Sequence, residues 1–186
     1  MLFRKSFPAD HPNSDAQTKE EKKQVLKTQQ IALAAMLLSV TGLGGRIAFA
    51  ADGPTDPQIV GIVLAADQID IDYGKIALSK SKNKQVREFA NRMVTDHSAV
   101  QENVIALADK LGVKAEDSPT SISLKSGAAD ITQKLKELRG KEFDKFYIDN
   151  EVTYHKNVTD AVDAVLIPSA QNGELKAALQ ALSPFF

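Results

Sequence analysis

Five side chains that could take part in metal chemistry fall on predicted helices of this sequence. His97 and His155 occupy positions on hydrophobic stripes, and they are the only histidines after residue 50. Asp96 directly precedes His97, Glu151 lies one turn before His155, and Asp70 belongs to an earlier helix. Two imidazoles with carboxylates are a ligand set that suits zinc, iron, manganese or nickel. The sequence therefore gives one candidate metal site, made of Asp70, His97, Glu151 and His155.

The same residues have a structural interpretation, which the spacing favours. A ferritin-type di-metal site takes Glu-x-x-His from each of two helices, whereas Val94 and Val152 stand three residues before the two histidines. A buried histidine can instead hydrogen-bond to a neighbouring helix and fix its register. We therefore expect a structural role and no cofactor first, a single bound divalent metal second, and a catalytic di-iron centre last.

Other catalytic groups are scarce. The chain has no cysteine, which excludes disulfides, thiolate metal sites and a thiol nucleophile. No serine is placed to pair with either histidine, and there is no glycine-rich phosphate loop. The sequence thus favours a non-catalytic protein over an enzyme.

The segment before residue 51 has the order of a secretory signal peptide. Lysines precede an apolar run over 31–43, and Ala48-Phe49-Ala50 matches a signal-peptidase site. The apolar run has 13 residues, whereas a membrane-spanning helix needs about 20. We expect residues 1–50 to be a signal peptide with a long n-region, cleaved between Ala50 and Ala51. The protein would then be periplasmic or secreted, and a membrane tether would require an uncleaved leader.

The mature part, residues 51–186, carries 16 basic and 20 acidic side chains. A net charge of −4 gives no global attraction to nucleic acid, so nucleic acid is not an expected partner. Lysines and arginines that gather near the first predicted turn are interpreted as a solvated bundle end. An envelope protein or a second copy of the chain is the kind of partner that remains.

Hydrophobic residues recur at steps of three and four along the mature chain, which predicts amphipathic helices. The predicted helices begin at Asp56 as cap, at Asn83, near Leu124, at Lys141 and at Asn172. Short links and the lack of strand-like alternation predict an all-α, antiparallel up-and-down bundle in a single domain over 51–186. Pro168 is expected to end the long helix from Lys141.

Several motifs resemble one bacterial family. The runs Asp70–Ala77, Val86–Ala90 and Met93–His97 resemble domain of unknown function 4142, and Phe143–Tyr147 with His155 is similar to the next block of that family. The resemblance covers about residues 57–182. It implies an exported, ferritin-like four-helix bundle, a class often labelled putative outer-membrane proteins, with no agreed activity.

Two departures from the family pattern bear on the site. Family members usually have Glu where this chain has Asp70, and they continue into a further helix that carries another histidine. Here the fourth helix is short. The export signal, the complete core pattern and the scarcity of reactive groups favour an exported envelope protein that serves as a binding or stress-related structural module, and association with the outer membrane is a further expectation. The alternative is a metal-binding (Zn, Fe or Mn) or redox protein that uses the histidines and carboxylates inside the bundle.

Overall fold

The computed structural model describes residues 53–182. The predicted leader over 1–50, its cleavage site and the last four residues lie outside this range. Five helices run through the described part: α1 (Asp56–Lys80), α2 (Lys84–Leu111), α3 (Pro119–Glu137), α4 (Gly140–Ala161) and α5 (Gly173–Leu182). A π-helical turn over Val162–Leu166 and a last helical turn over Ile167–Ser169 extend α4.

Helix α1 begins with a capping box one residue before the predicted cap. The Thr55 hydroxyl accepts a hydrogen bond from the Gln58 amide, and the Gln58 side chain accepts one from the Thr55 amide. Asp56, the predicted cap, instead accepts hydrogen bonds from the amides of Gln171 and Asn172, each at 2.9 Å. Because reciprocal capping satisfies two free amides at once, Thr55 takes the cap and Asp56 fastens the C-terminal segment to the start of α1.

Helix α2 begins at the predicted cap, whereas α3 begins earlier than predicted. The Asn83 side chain caps α2 at the Gln85 amide, and Gly112 ends the helix with a left-handed φ of 65°. Helix α3 begins at Pro119 rather than near Leu124, because Ser118 and Ser121 form a second capping box. Serine is an effective cap and proline suits the first helical turn, so the helix includes the five residues before Leu124.

The end of α4 also differs from the prediction. Helical structure passes through Pro168 and stops at Ser169. The π-helical turn before it lets the Ile167 amide donate to the carbonyl of Val162, five residues back. A π turn of this kind adds one residue to a helical turn. The helix then continues over Ile167–Ser169, which includes the proline.

Helix α1 is the central helix of the bundle, since it packs against α2, α3 and α4. One apolar cluster includes Ile59 and Ile62 of α1, and a second includes Tyr73 and Ala77 near its other end. Polar side chains lie between the two clusters. The all-helical bundle is confirmed for the described residues, while its ferritin-like, antiparallel topology stays a prediction.

None of the helices in the described range is both long enough and apolar enough to span a membrane.

Candidate metal centre

Five titratable side chains meet in the layer between the two apolar clusters. Asp67 and Asp70 come from α1, His97 from α2, and Glu151 and His155 from α4. The first four residues are at most 4% exposed, and the His155 side chain is 14% exposed. Burying ionisable groups is costly unless they are paired or bind a metal, so the layer needs a compensating interaction.

Asp67 determines which nitrogen of His97 faces the centre. The Nδ1 atom of His97 lies 2.8 Å from Asp67 Oδ1. A carboxylate at that distance accepts a hydrogen bond from Nδ1–H and leaves Nε2 as the ligand nitrogen. That Nε2 lies 3.4 Å from Asp70 Oδ2 and 3.4 Å from His155 Nε2.

His155 is oriented by its own helix. Its Nδ1 lies 2.9 Å from the main-chain carbonyl of Glu151 and 3.7 Å from the Glu151 carboxyl. Because a carbonyl oxygen can only accept, Nδ1 carries the proton and donates it. The Nε2 atom of His155 is then the nitrogen available to a ligand, and it lies 3.4 Å from Nε2 of His97.

Asp70, His97 and His155 thus each offer one ligand atom, and no two of these three atoms lie more than 4.8 Å apart. Two nitrogens bound to zinc at about 2.05 Å and at a tetrahedral angle would lie about 3.3–3.4 Å apart. The observed separation of 3.4 Å between the two Nε2 atoms matches that value. Without a cation between them, two imidazole lone pairs at this distance would repel.

Glu151 lies beside this group rather than within it. Its carboxyl is hydrogen-bonded to Asp70, and burial, reinforced by the Asp70 charge, raises the pKa of Glu151 to about 10. The Asp70 pKa is also raised by burial, although His97 and His155 oppose the shift. Two carboxylates cannot hydrogen-bond to each other, so Glu151 keeps the proton of the pair and donates a hydrogen bond to Asp70.

Several oxygens in the layer receive no hydrogen bond from an amide or hydroxyl donor within residues 53–182. They are Asp67 Oδ2, Asp70 Oδ1, both carboxyl oxygens of Glu151 and the Tyr147 hydroxyl. Buried polar atoms usually have a partner. Spare acceptors next to two imidazole lone pairs make this layer chemically suited to a cation.

The pKa values of His97 and Asp67 also indicate a layer that attracts positive charge. Burial lowers the pKa of His97, but the hydrogen bond to Asp67 and the charges of Asp70 and Asp67 outweigh it, so the net shift is upward. Burial raises the pKa of Asp67 against the effect of His97. The layer therefore attracts positive charge, whether as a proton or as a metal ion.

Tyrosine side chains close the layer on the side of the second apolar cluster. The Tyr154 hydroxyl donates to the carbonyl of Ala66 at 3.2 Å, and the Tyr73 hydroxyl donates to that of Ala128 at 3.4 Å. The Tyr154 ring contacts both Tyr73 and His155 edge-on, with centroids 6.2 and 6.3 Å apart. Burial is the largest cause of the raised pKa of both tyrosines. Both side chains therefore stay uncharged where they line the site.

The structure brings together the four side chains singled out in the sequence, with Glu151 in a flanking position. Asp96, the expected carboxylate neighbour of His97, is exposed instead. Asp67 takes that place, and the sequence reasoning did not assign it a role. The available signal was its spacing of three residues from Asp70, which puts two carboxylates one turn apart on a largely apolar helix.

Comparison with known proteins agrees with the motifs. No curated protein and no solved structure matches the chain. The family model described as Domain of unknown function (DUF4142) matches residues 46–186, about three quarters of the chain. The chain therefore belongs to the DUF4142 family.

Proposed function

We propose that the helical domain binds one divalent metal ion, held by Asp70 Oδ2, His97 Nε2 and His155 Nε2. The observation that carries the proposal is the convergence of two imidazole lone pairs at 3.4 Å beside a buried carboxylate. A core histidine needs only one such contact to be satisfied. Here two imidazole nitrogens lie close together, and the other nitrogen of each ring is next to a hydrogen-bond acceptor. Histidines that bind a metal are held by supporting hydrogen bonds in this way.

Two further carboxylates support the same site. Asp67 orients His97 through Nδ1, as second carboxylates do for zinc-bound histidines. Glu151, which neighbours Asp70, becomes available as a fourth ligand when it loses its proton. This role fits the lack of an amide or hydroxyl donor to its two oxygens within residues 53–182.

The donor set narrows the class of metal. Two imidazole nitrogens and a carboxylate suit zinc, iron or manganese. Magnesium and calcium prefer oxygen ligands alone, and the chain offers no thiolate for softer ions. The site differs from the ferritin di-metal template, because Val94 and Val152 occupy the positions where that template needs Glu.

We place this function outside the cytoplasm. The support is the leader-like order of basic segment, apolar run and Ala48-Phe49-Ala50. The protein would be an exported envelope protein with a metal-binding bundle, and metal binding rather than catalysis is the proposed activity.

A structural role without metal is the second candidate. It is favoured by the hydrogen bonds that already join α1 to α2 through Asp67 and His97, and by the contact between the two histidines that joins α2 to α4. In that case the cation between the imidazoles is a proton, and the protein is a non-catalytic binding or stress-related module.

Metal content of the full chain distinguishes the two candidates. The purified chain is loaded separately with zinc, ferrous iron and manganese, desalted and analysed for metal. We expect one tightly bound ion per chain, lost in the His97→Ala/His155→Ala double variant and retained in Asp96→Asn, which alters an exposed neighbouring carboxylate. His155→Leu, at the least buried of the three ligands, should lose metal while keeping the helical circular-dichroism spectrum. Equal metal content in wild type and variants would reject the metal site and leave the structural role.

A further inference from the structure

Charge is strongly segregated in the described part of the chain. The two eight-residue segments 80–87 and 134–141 together hold eight basic residues and one acidic residue. The rest of residues 53–182 holds eight basic and eighteen acidic residues. The two segments therefore have a formal net charge of +7, and the rest of residues 53–182 has a formal net charge of −10.

The fold brings the two basic segments together at one end of the bundle, which we call the basic end (residues 80–87 and 134–141). The Lys80 ammonium donates to the carbonyls of Leu135, at 2.7 Å, and Lys136. It also lies over the ring of Phe143, 5.4 Å from its centroid. Lys80 thus ties the turn between α1 and α2 to the junction between α3 and α4.

Most cations of the basic end project into solvent without an acidic partner. Lys82, Lys84, Lys136 and Lys141 are all exposed. Within residues 53–182 the only ion pair formed by the basic end joins Lys84 to Glu88, at 3.6 Å and with the lysine side chain 89% exposed. Four exposed lysines elsewhere do form ion pairs, namely Lys110–Glu174, Lys125–Asp117, Lys145–Asp149 and Lys156–Asp160.

We propose that the basic end docks on the surface of a membrane that contains anionic phospholipids, through their headgroup phosphates. Lysines near such a surface each contribute about 1 kcal/mol of attraction. The remainder of the domain, in which acidic side chains outnumber basic ones, is repelled by the same surface, so the domain binds in one orientation with the basic end towards the lipid. Binding is peripheral, since Val86 and Leu135 of these segments are buried and Leu138 is half-buried.

Nucleic acid is the less suitable polyanion. Proteins that bind single strands place aromatic side chains among the cations so that bases can stack. Neither basic segment contains an aromatic residue. The exposed lysines are spread over two adjoining segments. This arrangement suits a membrane surface with many headgroup phosphates better than one strand of nucleic acid.

Vesicle binding by the full chain tests the proposal. Binding is measured by co-sedimentation with vesicles of phosphatidylcholine alone and of phosphatidylcholine with phosphatidylglycerol, in low and in physiological salt. The test variant is Lys82→Gln/Lys84→Gln/Lys136→Gln/Lys141→Gln. The control variant, Lys110→Gln/Lys114→Gln/Lys125→Gln/Lys156→Gln, removes the same charge from exposed lysines outside the basic end. Thermal melts confirm that both variants fold.

The expected result is binding that requires phosphatidylglycerol and weakens in salt. It should fall by at least about a hundredfold in the test variant and much less in the control. Vesicles of phosphatidylcholine alone report any binding through the apolar run over 31–43, which both variants retain. Equal losses in the two variants, or binding that does not depend on phosphatidylglycerol, would overturn the proposal. Tighter binding to a DNA duplex than to the anionic vesicles, with the same dependence on the four lysines, would reassign the basic end to nucleic acid.

Discussion

The Nδ1 atom of His97 lies 2.8 Å from the Asp67 carboxylate. Asp67 is one helical turn away from Asp70 on α1. The two aspartates of α1 therefore have different roles at one histidine. Asp67 accepts a hydrogen bond from Nδ1, and Asp70 lies 3.4 Å from Nε2. A buried carboxylate that fixes the tautomer of a ligand histidine raises the basicity of the ligand nitrogen.

Replacing Asp67 by Asn should weaken metal binding without removing a ligand. Asparagine keeps an acceptor for Nδ1 but loses the negative charge, and changes of this kind cost about 10–100-fold in metal affinity. Competition with a chromophoric zinc chelator measures the effect. Asp72→Asn is the matched control, since Asp72 lies on the same helix, is exposed and bonds only to Gln68 among the described side chains. Equal affinities in the two variants would show that Asp67 has no supporting role.

Close approach of α1 and α2 beside the site depends on Gly74. A methyl group at Gly74 would lie 2.8 Å from Val94 Cγ2 and 3.0 Å from the Ala90 carbonyl. Gly74→Ala should therefore destabilise the fold by about 1–3 kcal/mol, as overpacking does. Because Asp70 lies one turn away on α1, metal affinity should fall as well.

Gly127→Ala is the control for this substitution. Gly127 is also in a helix, but an added methyl group there would meet nothing within 4 Å. Removing a helical glycine should then stabilise the protein by roughly 0.5–1 kcal/mol. Urea unfolding of both variants measures the two free energies. A Gly74→Ala protein as stable as wild type would show that the helices can separate at no cost.

Much of this arrangement was predictable from hydrophobic spacing. The stripe of α2 was predicted correctly, including a buried His97 between Met93 and Val104. The short last helix from Asn172 was predicted too, from its hydrophobic spacing, and the Asn172 side chain caps it at the amides of Glu174 and Leu175. In both cases a single helix contains the whole pattern, so local periodicity is enough.

The role of Asp67 was not predictable in the same way. A helical stripe describes one buried face, whereas α1 is buried on several faces by three neighbouring helices. Which of its carboxylates meets His97 depends on the rotation of α1 against α2, and that depends on packing rather than on local sequence. The 3.4 Å distance between His97 and His155 likewise joins residues 58 positions apart. Sequence could place both in a core but could not give their separation.

The loop between α2 and α3 is held against α1 at Gly61. An added methyl group there would lie 2.1 Å from the Glu116 carbonyl, and the Glu116 amide donates to the Pro57 carbonyl at 3.0 Å. Gly61→Ala should push the loop away and break that bond, which costs about 1 kcal/mol or more. Hydrogen exchange at the Glu116 amide should accelerate, while Gly173→Ala, with open space around it, should leave it unchanged. Unaltered exchange in Gly61→Ala would contradict the contact.

The stability of the metal-free protein should fall as pH rises, mainly because of Glu151. The unfolded chain loses this proton near its ordinary pKa of 4.5, whereas the folded protein keeps it up to about 10 because burial and Asp70 penalise the carboxylate. Between these values the folded state binds more protons than the unfolded state, so the free energy of unfolding decreases with pH. One such proton corresponds to a slope of at most about 1.4 kcal/mol per pH unit. His97 and Asp70, whose pKa values are also raised, act in the same direction.

Replacing Glu151 by Gln should remove most of this slope. Glutamine can still donate to Asp70 but has no proton to lose, so the variant should be more stable than wild type at pH 8 and nearly equal to it at pH 5. Urea unfolding at several pH values, with chelator present, gives both curves. Glu142→Gln, an exposed change at the start of the same helix, should keep the wild-type slope. Parallel curves for wild type and Glu151→Gln would mean that Glu151 is ionised in the fold, and that its charge is balanced without a proton.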